Sequence, residues 1–399
     1  MSPDLNRRLA DLIVDVGANV QHDQVVGIVA DPAVNPLVRA IAEACYLRGA
    51  RFVDVWYFDP ELKRLRLEHA RDETLDYVPP WYASRLYGLG DARAARIALH
   101  PIVPPGALAG IDPSRAGRDS LPALKEGFDV INAGSTNWNV APSPSEAWAK
   151  VVFPELAPAE ALERLWQDLV HVLRLDEPDP AAAWKERFEK LAEPGRRLTA
   201  HRFDAMHFEG PGTDLTVGLL PGSIFEGGTH ETAWGLEFGP NLPTEEVTSA
   251  PDPQRVDGVV AATKPLDVGG SVVSGLRVRF ERGRAVEIHA DENADALRAR
   301  VSRDDGAARL GEIALVDREG RVGPLGRTYF NTLLDENAAS HLAFGNAYDS
   351  CVDDEESKAR LNRSAIHLDF MIGSNEVAVT GITRDGDRVS VLRDGSWQI

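Results

Sequence analysis

Cysteine is almost absent from this chain of 399 residues: Cys45 and Cys351 are its only two, too few for a disulfide framework. No CxxC pair occurs, so a zinc knuckle is excluded, and a reducing compartment is the simplest home. No apolar run approaches the ~18 residues of a membrane span. Met1-Ser2-Pro3-Asp4-Leu5-Asn6-Arg7-Arg8 lacks the apolar core of a secretory leader, so the expectation is a soluble, cytoplasmic protein. Positive charge is also scarce. Lys and Arg number 43 against 62 Asp and Glu, a formal net charge of −19, which argues against a phosphate-tracking surface for nucleic acid. GxSxG and GxxxxGK[ST] motifs are missing. The loop Asp31-Pro32-Ala33-Val34-Asn35, after the first strand candidate, has no glycine to admit a pyrophosphate, which argues against a Rossmann nucleotide site.

What is present is a chain 43% hydrophobic and 26% charged, able to bury a sizeable core, with two domains the default for its length. The acidic excess is uneven: residues 1–200 carry net −6 and residues 201–399 net −13. Phe203 to Gln254 holds nine acids and no Lys or Arg. Exposed carboxylates are ordinary, but a local excess also fits acids that face a bound cation or a cationic substrate group.

Val25–Ala30, a helical spacing over Asn35–Leu47, and a strand over Ala50–Tyr57 read as a βαβ unit and a parallel sheet. Further strands are expected at Ala95–Leu99 and Val130–Asn132, and helices at Ala159–Leu173 and Ala181–Leu191. Composition changes at Glu193-Pro194-Gly195. Hairpins follow at Arg202–Phe208 with Asp214–Leu220, and at Gly275–Phe280 with Ala285–His289. Strands at Ala365–Ile372, Val377–Thr383 and Arg388–Leu392 close the chain, with helices around Ala294–Ser302 and Ala338–Tyr348. The expected architecture is an α/β scaffold domain over 1–194 with a mainly parallel sheet, then an α+β domain over 195–399 with largely antiparallel strands.

His230-Glu231-Thr232-Ala233-Trp234 begins like the HExxH zinc helix but puts Trp at the second His, so it supplies one imidazole and little weight. His367-Leu368-Asp369 is better placed. Strand alternation sets His367 and Asp369 on one face, as two ligand-type side chains or as a plain hydrogen-bonded pair. In Asn331–Tyr348, a helix starting near Asn337 would set His341 and Tyr348 on one face, while Glu336 would reach them only from the preceding turn. Glu312 heads the apolar run Leu310–Val316, and Glu245-Glu246 sits in Pro243-Thr244-Glu245-Glu246-Val247. Singly, each residue is more often structural or exposed. Together Glu246, Glu312, Glu336, His341, His367 and Asp369 fit a two-metal centre, where carboxylates bridge ions and imidazoles cap them.

The strings PTEEV (243–247), LGEIALV (310–316), NTLLDENAASHLAFGNAY (331–348) and IHLDFMIG (366–373) closely resemble, in order and spacing, the motifs of the thermophilic aminopeptidases, metallopeptidase family M29. The resemblance continues more loosely through the first half, including Asn139–Pro142 and Ala147–Pro154. It implies a two-domain, homodimeric exopeptidase that uses two divalent ions (Zn, Co, Mn or Mg) to release N-terminal residues from peptides with a free N-terminus. It also implies the ligand set Glu246, Glu312, Glu336, His341, His367 and Asp369, with Tyr348 as a catalytic-site tyrosine. The preference for Glu246 over Glu245 rests on it too. Thr248-Ser249 departs from the family's bulkier residue after Glu-Val, a change expected to reshape a pocket wall without touching a ligand.

The roles expected are Glu312 as bridging ligand, Glu336 as ligand or general base, and Tyr348 as donor to the oxyanion. The competing reading keeps the fold and uses His341, His367 and Asp369 alone as a mononuclear non-haem iron site of a ring-cleaving dioxygenase. That chemistry has no need of Glu246, Glu312 and Glu336 as well.

Overall fold

In a computed structural model describing residues 3–119, 121–122 and 124–399, four strands form an all-parallel sheet in the order β2-β1-β3-β4. They are β1 (Val25–Ala30), β2 (Phe52–Tyr57), β3 (Ala95–His100) and β4 (Trp138–Pro142). The helix Asn35–Leu47 returns the chain from β1 to β2, burying Leu37, Val38, Ile41 and Cys45 along one face. Val130–Asn132, expected as a strand, ends the helix Lys125–Asn132 instead. Two apolar residues and an asparagine cannot fix a period, and only Val130 of that helix is buried among its described residues.

The helix expected at Ala181–Leu191 runs from Pro180 to His201 and passes straight through Pro194. Its Trp184 and Phe188 belong to the apolar core of the first half, its Leu198 to that of the second. Pro194 costs the helix one backbone hydrogen bond. Gly195 earns its place by proximity: a Cβ there would lie 2.8 Å from Phe225 O. The composition change at Glu193-Pro194-Gly195 thus falls inside a helix that joins two cores.

The second half is antiparallel. Its larger sheet has eight strands, in the order Arg284–His289, Arg277–Glu281, Pro251–Ala261, Thr213–Leu219, Ala205–Gly210, Ala378–Ile382, Arg388–Arg393 and Ser396–Trp397. Both expected hairpins lie in it. The smaller sheet has five strands, ordered His367–Met371, His341–Gly345, Leu310–Val316, Glu246–Ser249 and Glu226–Gly227. Val247, Ile313, Leu315, Leu342, Phe344 and Phe370 all enter the core of this half. There Phe344 stacks between Phe280 and Phe370, with ring centroids 5.7 and 5.1 Å away.

The helix expected over Ala338–Tyr348 does not form; His341–Gly345 is a fully buried strand. The helix in this region is Thr332–Glu336. Asn337 ends it, donating to Leu333 O at 2.8 Å while its Oδ1 accepts from Glu245 N at 2.6 Å. A short apolar run reads equally as helix or strand, and here the strands on either side decide. Among the described residues no helix is long and apolar enough to cross a membrane.

Candidate metal centre

Cross-strand register gathers the acids and imidazoles. Thr248 pairs with Ala314, Ala314 with His341 and His341 with Met371, while Glu312 pairs with Ala343 and Ala343 with Asp369. Paired residues share a face, and alternate residues along each strand share it too. Glu246, Thr248, Glu312, His341, His367 and Asp369 therefore project from one side of the smaller sheet, opposite its core side. Ala314 and Ala343 are the small residues between them, which leaves room above the sheet.

One irregularity sets Glu312. The ladder pairs Leu310 with Phe344 and Glu312 with Ala343, so Gly311 is an extra residue. A Cβ on Gly311 would stand 2.3 Å from Gly345 O, so only glycine fits this bulge, and the bulge aims the next side chain.

Glu312 faces both imidazoles. Its Oε1 lies 3.9 Å from His341 Nε2, and its Oε2 lies 3.1 Å from His367 Nε2. His341 Nε2 is also 3.1 Å from Glu246 Oε2, and His367 Nε2 is 3.3 Å from Asp369 Oδ1. Two candidate metal-holding groups result, Glu246–Glu312–His341 and Glu312–His367–Asp369, each with ligand atoms within 4.8 Å of one another. They share Glu312. Each ring is oriented from behind: His341 Nδ1 sits 3.2 Å from Ala339 O and His367 Nδ1 2.8 Å from Asn346 O. A proton on each Nδ1 is donated to the carbonyl, which leaves Nε2 free to ligate.

Glu336, the last residue of its helix, enters from above the sheet. Asn241 Nδ2 lies 3.4 Å from its Oε1. Burial first, then the Asp369 and Glu246 carboxylates, hold the Glu336 carboxyl well above the usual carboxylate range. Burial alone would lower the two imidazoles, but their neighbours outweigh it: Glu246, Asp369 and Glu312 raise His341 to about 10, and Tyr348, then Asp369 and Glu312, hold His367 well above its ordinary value. Burial opposes ionisation of Asp369 as well, yet the two histidines bring it below its usual range. Tyr348 packs its ring 5.1 Å from that of His367, and burial, foremost, raises its phenol, which stays a donor.

This donor set fits divalent cations. Four carboxylates crowd together in a buried place, an arrangement that is costly unless cations compensate it. Glu246 Oε2 makes no well-formed hydrogen bond with a described residue despite its nearness to His341.

Glu245 points elsewhere. Its buried carboxylate pairs with Arg187 and with Arg174, the latter at 3.2 Å, and accepts from Arg321 N at 3.1 Å. His230 and Glu231 form a short strand, not a zinc helix, although His230 lines the same cavity as the cluster. Thr248 corrects an expectation: its hydroxyl donates to Glu312 Oε1 at 2.5 Å, so it does touch a candidate ligand. Alternation from Glu246 carried that signal. Asn331 carried none. It is 3% exposed, lines the cavity, and leaves both amide atoms without partners among the described residues. Phe330 beside it adopts φ 53°, a left-handed conformation uncommon for a bulky residue. The Asp335 carboxylate holds this turn, accepting from Tyr329 N at 2.9 Å and Asn331 N at 3.2 Å.

The model of the thermophilic metalloprotease family (M29) matches residues 3–397. Aminopeptidase T of Thermus thermophilus is 42% identical over 400 residues, covering 98% of each chain. The structure of wild-type AmpT from Thermus thermophilus matches with a TM-score of 0.87 at 40% identity, over 99% of both chains. A 2,5-dihydroxypyridine dioxygenase from Pseudomonas putida matches at TM-score 0.54 and 13% identity, over 100% of this chain and 98% of that one. The last is a likeness of fold alone.

Proposed function

The chain belongs to the thermophilic metalloprotease family (M29), and on that premise we propose that it is an aminopeptidase that uses two divalent ions to release N-terminal residues from peptides. The carrying observation is Glu312, whose two oxygens turn toward different imidazoles and which belongs to both candidate groups. Glu246 and His341 would hold one ion, His367 and Asp369 the other, and Glu312 both, with Glu336 beside them. The ions, when bound, lower the pKa of a water and polarise the scissile carbonyl.

The chain's own groups do the rest. The Glu336 carboxylate takes a proton from the attacking water and passes it to the leaving amine as the carbon–nitrogen bond breaks. The Tyr348 hydroxyl donates to the oxygen on which negative charge develops. The orphaned amide of Asn331 is available to a peptide's backbone groups. A homodimer, implied by family resemblance, completes the proposal and is tested by sedimentation.

His341 falls in one group while His367 and Asp369 fall in the other. That division favours two ions over a single iron held by the three together. The test is metal analysis combined with hydrolysis of dipeptides and aminoacyl-p-nitroanilides in Co²⁺, with and without chelator. Two equivalents per chain and chelator-sensitive release of the N-terminal residue are expected. One iron with oxygen consumption, or no release from any substrate, overturns the reading.

A further inference from the structure

The cavity above the site sheet, about 490 Å³, has walls of opposite charge. Glu246, Glu312, Glu336 and Asp369 line one part of it, while Lys63, Arg85, Arg96 and Arg300, mostly from the first half, line another. Two of these cations are matched. Lys63 Nζ is 3.3 Å from Asp119 Oδ2 and donates to Leu121 O at 2.7 Å, and Arg85 Nη2 is 2.8 Å from Asp54 Oδ2.

The other two are not. Among the described residues the Arg96 guanidinium makes one polar contact, Nη1 to Gly127 O at 3.3 Å, and no ion pair. The Arg300 guanidinium likewise forms no hydrogen bond or ion pair with a described residue, and the acid acting on it is Asp119, which already serves Lys63. Burial lowers both guanidinium groups to about 10, so both remain charged at neutral pH. An enclosed cation without an anion is costly, and a guanidinium fork is shaped for a carboxylate.

Its position relative to the metal centre follows from the helix Lys125–Asn132. Arg96 reaches Gly127, and the next residue, Phe128, sets its ring 6.3 Å from the His367 imidazole. An extended chain advances ~3.3–3.6 Å per residue, so the two ends of a di- or tripeptide lie on the order of 6–10 Å apart. A zwitterionic short peptide matches the cavity's polarity, ammonium toward the acids and carboxylate toward the guanidinium.

We propose that Arg96, in the electropositive wall it shares with Arg300, binds the C-terminal carboxylate of the substrate and makes this chain selective for di- and tripeptides with a free C-terminus. This rests on the aminopeptidase reading and names its substrate class. Arg96 here is a binding residue, remote from the bond that breaks.

The test pairs leucylalanine with leucylalanine amide, using the full-length chain loaded with Co²⁺. The wild type should favour the free acid by at least about ten-fold in kcat/KM, mainly through KM. Arg96→Gln should erase that preference, and Arg96→Lys should restore part of it. Calorimetry on chelator-treated protein, which cannot turn the peptide over, should find tighter binding of the acid than of the amide in the wild type only. Equal efficiency on both peptides overturns this proposal alone, as does an Arg96→Gln loss shared equally by acid and amide. No chelator-sensitive cleavage of either overturns the aminopeptidase reading, and this proposal with it.

Discussion

Thr248 donates its hydroxyl to Glu312 Oε1 at 2.5 Å across adjacent strands of the smaller sheet. A ligand carboxylate fixed in this way loses little freedom when it binds metal, and removing such a partner typically costs 10–100-fold in affinity or activity. Thr248→Val should therefore weaken metal binding or turnover by about that factor, and Thr248→Ser should largely restore both. Competition titration with a chromophoric chelator measures the affinity. An unchanged value for the valine variant would make the hydroxyl idle.

Glu312 and Glu336 should separate cleanly on substitution. Glu312→Gln removes charge from both candidate groups, so it should lose both metal equivalents. Glu336→Gln should keep metal and lose at least about 10²-fold in kcat, the contribution typical of a general base. Inductively coupled plasma mass spectrometry beside steady-state kinetics decides the matter. Loss of metal in Glu336→Gln would assign that residue chiefly to ligation.

Tyr348 is raised by burial and by Glu312, Asp369 and Glu336, against the opposing effect of His367. Its hydroxyl is therefore protonated at neutral pH. Tyr348→Phe should lower kcat about 10²–10³-fold with metal content unchanged, as for loss of one oxyanion donor. Equal kcat values for the two proteins would remove Tyr348 from the mechanism.

Asp267, on the wall of the same cavity, offers a test of stability. Its Oδ2 accepts from Gly270 N at 2.9 Å and its Oδ1 has no partner among the described residues. Burial pushes its carboxyl up to about 7. The folded chain then keeps a proton that the unfolded chain has released, so this residue makes stability fall as pH rises from about 4 to about 7. Asp267→Asn retains the acceptor and removes the slope. Thermal melts of chelator-treated protein should find the variant more stable than wild type at pH 8 and nearly equal to it at pH 4.5. The same gap at both pH values would contradict the assignment.

Much of this arrangement is legible in the residue order. Period-two alternation in Ile366-His367-Leu368-Asp369 sets the imidazole and carboxylate on one face, and the strand His367–Met371 has them 3.3 Å apart. Thr248 was available to the same logic, two residues beyond Glu246. His341 was not. His341-Leu342-Ala343-Phe344-Gly345 is too short to declare a period, and it becomes a strand because Leu310–Val316 and His367–Met371 flank it. Pro194-Gly195 misled for a related reason. Those residues break most helices, yet this one runs on through them to His201. Arg96 gave no warning in one dimension, since the isolation of its guanidinium from acids exists only after folding.

The helix Pro180–His201 has a further consequence. All six candidate ligands lie between residues 246 and 369, so a fragment beginning at Gly195 would hold every donor atom. It would also sever that helix after fifteen of its twenty-two residues, detaching Trp184 and Phe188 from Leu198. The fragment would lack Arg187, whose guanidinium neutralises the buried Glu245 immediately before Glu246. The donor set is therefore not portable. Strand register sets its geometry, and that sheet is braced by a rod whose other end is rooted in a different core.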